Sequence, residues 1–156
     1  MAEQTPTSTG RAESGVATAH IGARRYHTDV TMPEGHGLVM DEPEFAGGGN
    51  DGPAPIDLLV ASLAACKAVT IRMQADRHGW PLTAATVTAR HRRIPARKLE
   101  GGGKRGMVNI IECDITLEGD ELNDRQRKRL LDLGNHCWVQ HALTHETRVE
   151  TRMGPE

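Results

Sequence analysis

Aromatic side chains are nearly absent from this 156-residue chain, which has one Phe, one Tyr and two Trp, 3% of its residues. Only Tyr26, Phe45, Trp80 and Trp138 can offer large rings, so the core has to be aliphatic and rich in alanine. Cysteine is also scarce. Cys66, Cys113 and Cys137 are too few and too far apart for a disulfide framework, and no Cys-x-x-Cys pair supports a structural zinc site. No run approaches the roughly 20 apolar residues that cross a bilayer, and the first ten residues lack both a positive and an apolar signal region. A cytoplasmic protein with no membrane partner is expected. The net charge of −2 offers no general attraction to nucleic acid. One basic cluster, Arg90, Arg92, Arg93, Arg97, Lys98, Lys104 and Arg105, has no interleaved aromatics, and it reads as a solvated strand and loop with no nucleic-acid partner.

What is present suits one domain. A chain of this length buries roughly 70% of its unfolded surface, and with a hydrophobic fraction of 37% and so few bulky rings a homodimer is expected. Residues 1–14 hold almost nothing to bury and are expected to be a disordered tail, with a single domain over residues 15–156. Val16–Ile21, Tyr26–Met32 and Gly37–Met40 are short pieces rich in β-branched residues, the pattern of a three-stranded meander. The stretch Gly47-Gly-Gly-Asn-Asp-Gly-Pro53 breaks the chain. It could cradle an anion, but it lacks the ending of a phosphate loop and reads as a flexible connection.

From Pro55 to His78 a stripe of Leu59, Leu63, Cys66, Val69 or Thr70, and Met73 predicts a helix of about six turns closed by Gly79. Residues 83–94 and 107–118 alternate as strands. Asn123 is placed to cap a second helix with Leu130, Leu131 and Leu133 on its apolar side. A short helix from Cys137 to Leu143 and a strand over Thr147–Arg152 complete an α+β domain with antiparallel pairing.

The three thiols separate by context. Cys113 is in phase with Ile111, Ile115 and Leu117 and packs as a small hydrophobe. Cys66 has the same reading on pattern alone, being part of its helix stripe. Cys137 stands at the start of a helix, where unpaired N–H groups favour a thiolate. With His141 and His145 it could also line one face as metal ligands, although no established metal motif supports that.

Three segments together resemble the OsmC/Ohr family of osmotically inducible and organic hydroperoxide resistance proteins. They are Gly35-His-Gly-Leu-Val-Met-Asp-Glu-Pro43, the run from Gly47 through Pro53-Ala-Pro-Ile-Asp-Leu-Leu to Cys66, and Cys137-Trp-Val-Gln-His-Ala-Leu143. The resemblance runs from about Val16 to Arg152. It implies an intertwined homodimer of α+β subunits, with antiparallel sheets wrapped around long central helices. It also implies a thiol-dependent peroxidase that needs no bound cofactor. Cys66 would attack an organic hydroperoxide and become a sulfenic acid, Cys137 would resolve it as a disulfide, and an external dithiol would reduce the pair.

A thiol in apolar surroundings ionises only with a cation close by. The family supplies an Arg from its first strands, for which Arg24 and Arg25 are the two candidates. It holds that Arg with a Glu directly after the Pro ahead of the helix. Here Pro55 is followed by Ile56 and then Asp57, which displaces the carboxylate by about 100° around a helix. Glu42 and Glu44 are the replacements the sequence offers. Cys137 is followed by Trp138 where many relatives have Pro, and the indole is expected to fill a dimer core rather than to shape a substrate pocket. The competing implication is a binding or redox-responsive member in which Cys66 is left unactivated.

Overall fold

The computed structural model describes residues 15–99 and 105–154. The tail expected over residues 1–14, and Lys104 of the basic cluster, lie outside the described residues. The chain divides into two compact units, one ending at Ile56 and the other beginning at Asp57.

In the first unit β1 (Thr18–Ile21), β2 (Thr28–Thr31) and β3 (Gly37–Met40) form an antiparallel sheet in that order. Val30 stands opposite Ala19 on one side and Leu38 on the other, and it is the buried centre of the meander. The first two strands begin two residues later than the β-branched pattern predicts.

The glycine-rich stretch after β3 does cradle an anion, one supplied by the chain itself. Asp41 is buried. Its Oδ1 accepts the N–H of Glu42 at 2.8 Å, and its Oδ2 accepts those of Gly49 at 2.8 Å and Asp51 at 3.1 Å. Burial alone would push this carboxyl up, but the three N–H bonds and the nearby His27 outweigh it and hold Asp41 below its ordinary value. The wrapping is tight enough that a Cβ at position 48 would collide with the carbonyl of Glu42, so glycine is required there.

The long helix α1 (Pro55–His78) opens with proline at a position where no N–H is missed, and it stops at Gly79, whose φ of +62° is left-handed. Its buried residues are Leu63, Lys67, Ile71 and Ala75, four apart along one face. The predicted stripe is therefore corrected. Leu63 belongs to the buried face, but Leu59, Val69 and Met73 are exposed, and Cys66 is half-buried. A lysine occupies the inner face because main-chain and amide oxygens far along the sequence receive its charge.

Strands β4 (Ala84–Pro95) and β5 (Met107–Glu118) pair antiparallel along their whole length, from Ala84 opposite Glu118 to Pro95 opposite Met107. Ala85, Val87, Ile115 and Leu117 pack inward. On the outer face the arginines of β4 meet the acids of β5: Arg90 bonds Asp114, and Arg92 bonds Glu112 at 2.6 Å. Two of the basic residues are thus paired by the neighbouring strand.

The next helix, α2 (Asp124–Gly134), begins with the expected cap. Asn123 accepts the N–H of Gln126, and Gln126 returns a bond to the N–H of Asn123. Ile71 and Ala75 of α1, Leu82, Leu122 and Leu130 of α2 form the core of this unit. Arg72 fastens α1 to the start of the hairpin through the carbonyls of Leu82 at 2.7 Å and Thr83 at 3.0 Å. Last comes α3 (Trp138–Thr144). Residues 147–152 are not a strand, contrary to their alternation: among the described residues no strand pairs with them, and Val149 is exposed. Among the described residues no helix is long and apolar enough to cross a membrane.

Candidate functional site

The second unit brings two of the candidate residues together. Cys137 is the N-cap of α3, and its sulfur accepts the N–H of Gln140 at 3.5 Å. It is 1% exposed. The Cys66 thiol of α1 is its neighbour, near enough to act on its protonation. Seventy-one positions apart in sequence, the two thiols are neighbours because the end of α2 at Gly134 packs against α1, where a Cβ would stand only 3.0 Å from the Ile71 side chain.

The electrostatics of Cys137 differ from the expectation. A helix start favours a thiolate, but burial pushes this thiol up, and it remains above its ordinary value. The Gln140 N–H and the charge of Lys67 pull it down, while the neighbouring Cys66 adds to the rise. A seven-residue helix does not offset that loss of water. A thiol so raised lends stability that is complete below the ordinary thiol range and is lost as the pH rises through the higher folded-state value. We therefore expect Cys137→Ala to flatten the alkaline limb of a stability-against-pH curve; an unchanged limb in urea titrations between pH 7 and 10 would contradict this.

Lys67 is the side chain beside the two thiols that sequence reading missed. It is 3% exposed, and its Nζ donates to the Gly134 carbonyl at 3.4 Å, to Asn135 Oδ1 at 2.9 Å and to Gln140 Oε1. Reading the stripe as apolar made this position solvent-facing, and no local signal marks it otherwise.

Arg24 and Arg25 belong to the first unit, where the structure distinguishes them. The Arg24 guanidinium pairs with Asp51 at 2.9 Å. Asp51 also meets His27 Nδ1 at 2.9 Å. Arg25 has a φ of +45° and donates instead to the Gly47 carbonyl at 2.9 Å. The carboxylate partner of an arginine is thus Asp51, four residues before Pro55, in place of the Glu42 and Glu44 suggested by sequence. A pairing across 27 positions leaves no periodic trace.

Near Cys137, α3 turns an aromatic edge outward. Trp138 is 77% exposed, so it does not fill the core of its own chain. Together with Asn135, His136, Gln140, His141 and His145 it lines a cleft of about 500 Å³. His141 and His145 stack ring on ring at 3.9 Å and do not converge with the Cys137 sulfur. Among the described residues, no three His, Cys, Asp or Glu side chains gather as a metal set would.

The model of a family described as OsmC-like protein matches residues 48–152. The chain belongs to this family. Solved OsmC-like structures share its α+β fold. A protein from Psychrobacter arcticus 273-4 named for osmotic stress and detoxification response has a TM-score of 0.64 at 19% identity, covering 84% of this chain and 90% of its own. An organic hydroperoxide resistance protein OsmC from Legionella pneumophila reaches 0.63 at 21%, over 86% and 92%. One from Vibrio cholerae O1, with captopril bound in one of its active sites, reaches 0.60 at 21%, over 86% and 89%. No curated protein matches.

Proposed function

We propose that this OsmC-like protein is a thiol peroxidase that reduces organic hydroperoxides to alcohols. The observation that carries the reading is the pairing of Cys66 with Cys137, two thiols brought near enough to act on each other's protonation where α3 begins beside α1. Packing alone gives no reason for two thiols to share one spot. The Cys66 thiolate attacks the hydroperoxide: an S–O bond forms, the O–O bond breaks, and the leaving alkoxide takes a proton to become the alcohol. The sulfur is now a sulfenic acid. Cys137, as thiolate, attacks it; an S–S bond forms, the S–O bond breaks, and the departing hydroxide takes up the proton that Cys137 gave up, leaving as water. An external dithiol returns the disulfide to two thiols.

Arg24 supplies the positive charge for the reaction, because it has the carboxylate partner that orients a guanidinium, whereas Arg25 is spent on a main-chain carbonyl. The protein works as a homodimer. Leu59, Val69 and Met73 form an exposed apolar row on α1, next to Cys66 on the helix surface, and a second copy is the cover we assign to it.

The test is stoichiometric. One equivalent of an organic hydroperoxide added to the reduced protein should yield one equivalent of alcohol and one Cys66–Cys137 disulfide, read by peptide mapping. Arg24→Met should slow this step by about 100-fold and Arg25→Met by less than about tenfold. A binding or redox-responsive member would leave both the hydroperoxide and the thiols intact.

A further inference from the structure

Lys67 has no part in the reaction as written, yet it is the one buried ammonium among the described residues of the chain. An ammonium out of water is costly unless its surroundings use it. Its three partners, Gly134 O, Asn135 Oδ1 and Gln140 Oε1, are neutral oxygens, so no carboxylate cancels the charge. All three belong to the segment that carries the second thiol. Gly134 and Asn135 immediately precede His136 and Cys137, and Gln140 is the residue whose N–H bonds the Cys137 sulfur. His136 is turned away, its Nδ1 meeting the Asp132 carbonyl at 2.8 Å. The titratable groups that act on Cys137 are therefore Cys66 and Lys67, adjacent residues of α1.

We infer that Lys67 is the positioning residue of the resolving step: it pins the Gly134–Gln140 segment to α1 so that Cys137 sits against Cys66, and it lends that segment the positive charge that lets the buried Cys137 attack as a thiolate. The inference rests on the peroxidase reading, and it divides the labour of the two cations, with Arg24 serving hydroperoxide reduction and Lys67 serving disulfide closure. Lys67 leaves the substrate untouched. Its ammonium keeps all its protons, and the proton released from Cys137 goes to the hydroxide that leaves Cys66.

The experiment follows the two steps separately in wild type and Lys67→Met. Sulfenic acid on Cys66 is trapped with a cyclic diketone, and disulfide closure is timed by quenched peptide mapping after a single equivalent of hydroperoxide. In Lys67→Met, closure should slow by about tenfold or more while trapping shows sulfenic acid forming within about threefold of the wild-type rate. A structural part for Lys67 would slow both alike. A second readout needs no peroxide: in the Cys66→Ser background, the ¹³Cβ resonance of labelled Cys137 is titrated with and without Lys67→Met, and its midpoint should move up by about one pH unit. If Lys67→Met does not fold, Lys67→Gln, which keeps a donor toward Asn135 and Gln140 and loses the charge, takes its place in both measurements. Closure at the wild-type rate together with an unmoved midpoint overturns the inference and leaves the peroxidase standing. Absence of both sulfenic acid and the Cys66–Cys137 disulfide in the wild type after hydroperoxide is added overturns the peroxidase reading, and the Cys137 midpoint then still decides whether Lys67 acts on that thiol.

Discussion

Replacing Cys66 by serine is expected to lower the consumption of an organic hydroperoxide by about a thousandfold or more, since a serine hydroxyl stays protonated where a thiolate can form, and a neutral oxygen does not attack an O–O bond at a useful rate. Cys137→Ser should behave differently. Cys137 enters only after the first alcohol has left, so the variant should release its first equivalent of alcohol at close to the wild-type rate and then fail to turn over, with no more than a slow second equivalent. With Cys66 held as a sulfenic acid, further hydroperoxide should carry it on to sulfinic acid, which a dithiol cannot reverse. The pair of variants, assayed by alcohol release and by mass of the Cys66 peptide, separates the two sulfurs by role. Equal residual activity in wild type, Cys66→Ser and Cys137→Ser would leave the family and fold in place and remove the reaction.

The second large effect is on stability. Asp41→Asn preserves shape but turns an acceptor of three main-chain N–H groups into an amide, one end of which is itself a donor. Buried donors without acceptors are costly, and the thermal midpoint should fall by roughly 10 °C at neutral pH. The sign of the pH dependence follows from the lowered pKa. The carboxylate contributes stability above the ordinary Asp value of about 3.9, and that contribution is lost as the pH falls through the lower value of the folded state. Melts of wild type and Asp41→Asn at pH 7 and near pH 3 should therefore converge in acid. A gap of the same size at both would point to packing instead of charge.

Local chemistry was legible where a residue acts within a few positions of itself. Gly79 and Asn123 end and begin their helices as expected, and β5 occupies the predicted residues, because a left-handed turn, a capping box and a two-residue alternation are all written locally. The site is written otherwise. Lys67 is buried by oxygens sixty-seven and more positions away, and a pattern that scores lysine as polar turns the helix by one residue and exposes the wrong face. Arg24 and Asp51 find each other through the fold of a glycine-rich loop organised around Asp41, and neither acid stands in the place where the resemblance looks for one. Thr147–Arg152 alternates like a strand but has no neighbouring strand among the described residues, and alternation by itself does not supply one.

In the proposed homodimer the two-sided character of α1 makes folding and association one equilibrium. Leu63, Ile71 and Ala75 are shielded within their own chain, whereas Leu59, Val69 and Met73 are exposed there and are the residues assigned to the second copy. For the proposed homodimer this means that resistance to heat is a property of concentration as well as of sequence, rising with the amount of protein present because every added copy draws the isolated subunit into the assembled form. Dilution alone should soften the molecule before any bond within it is disturbed.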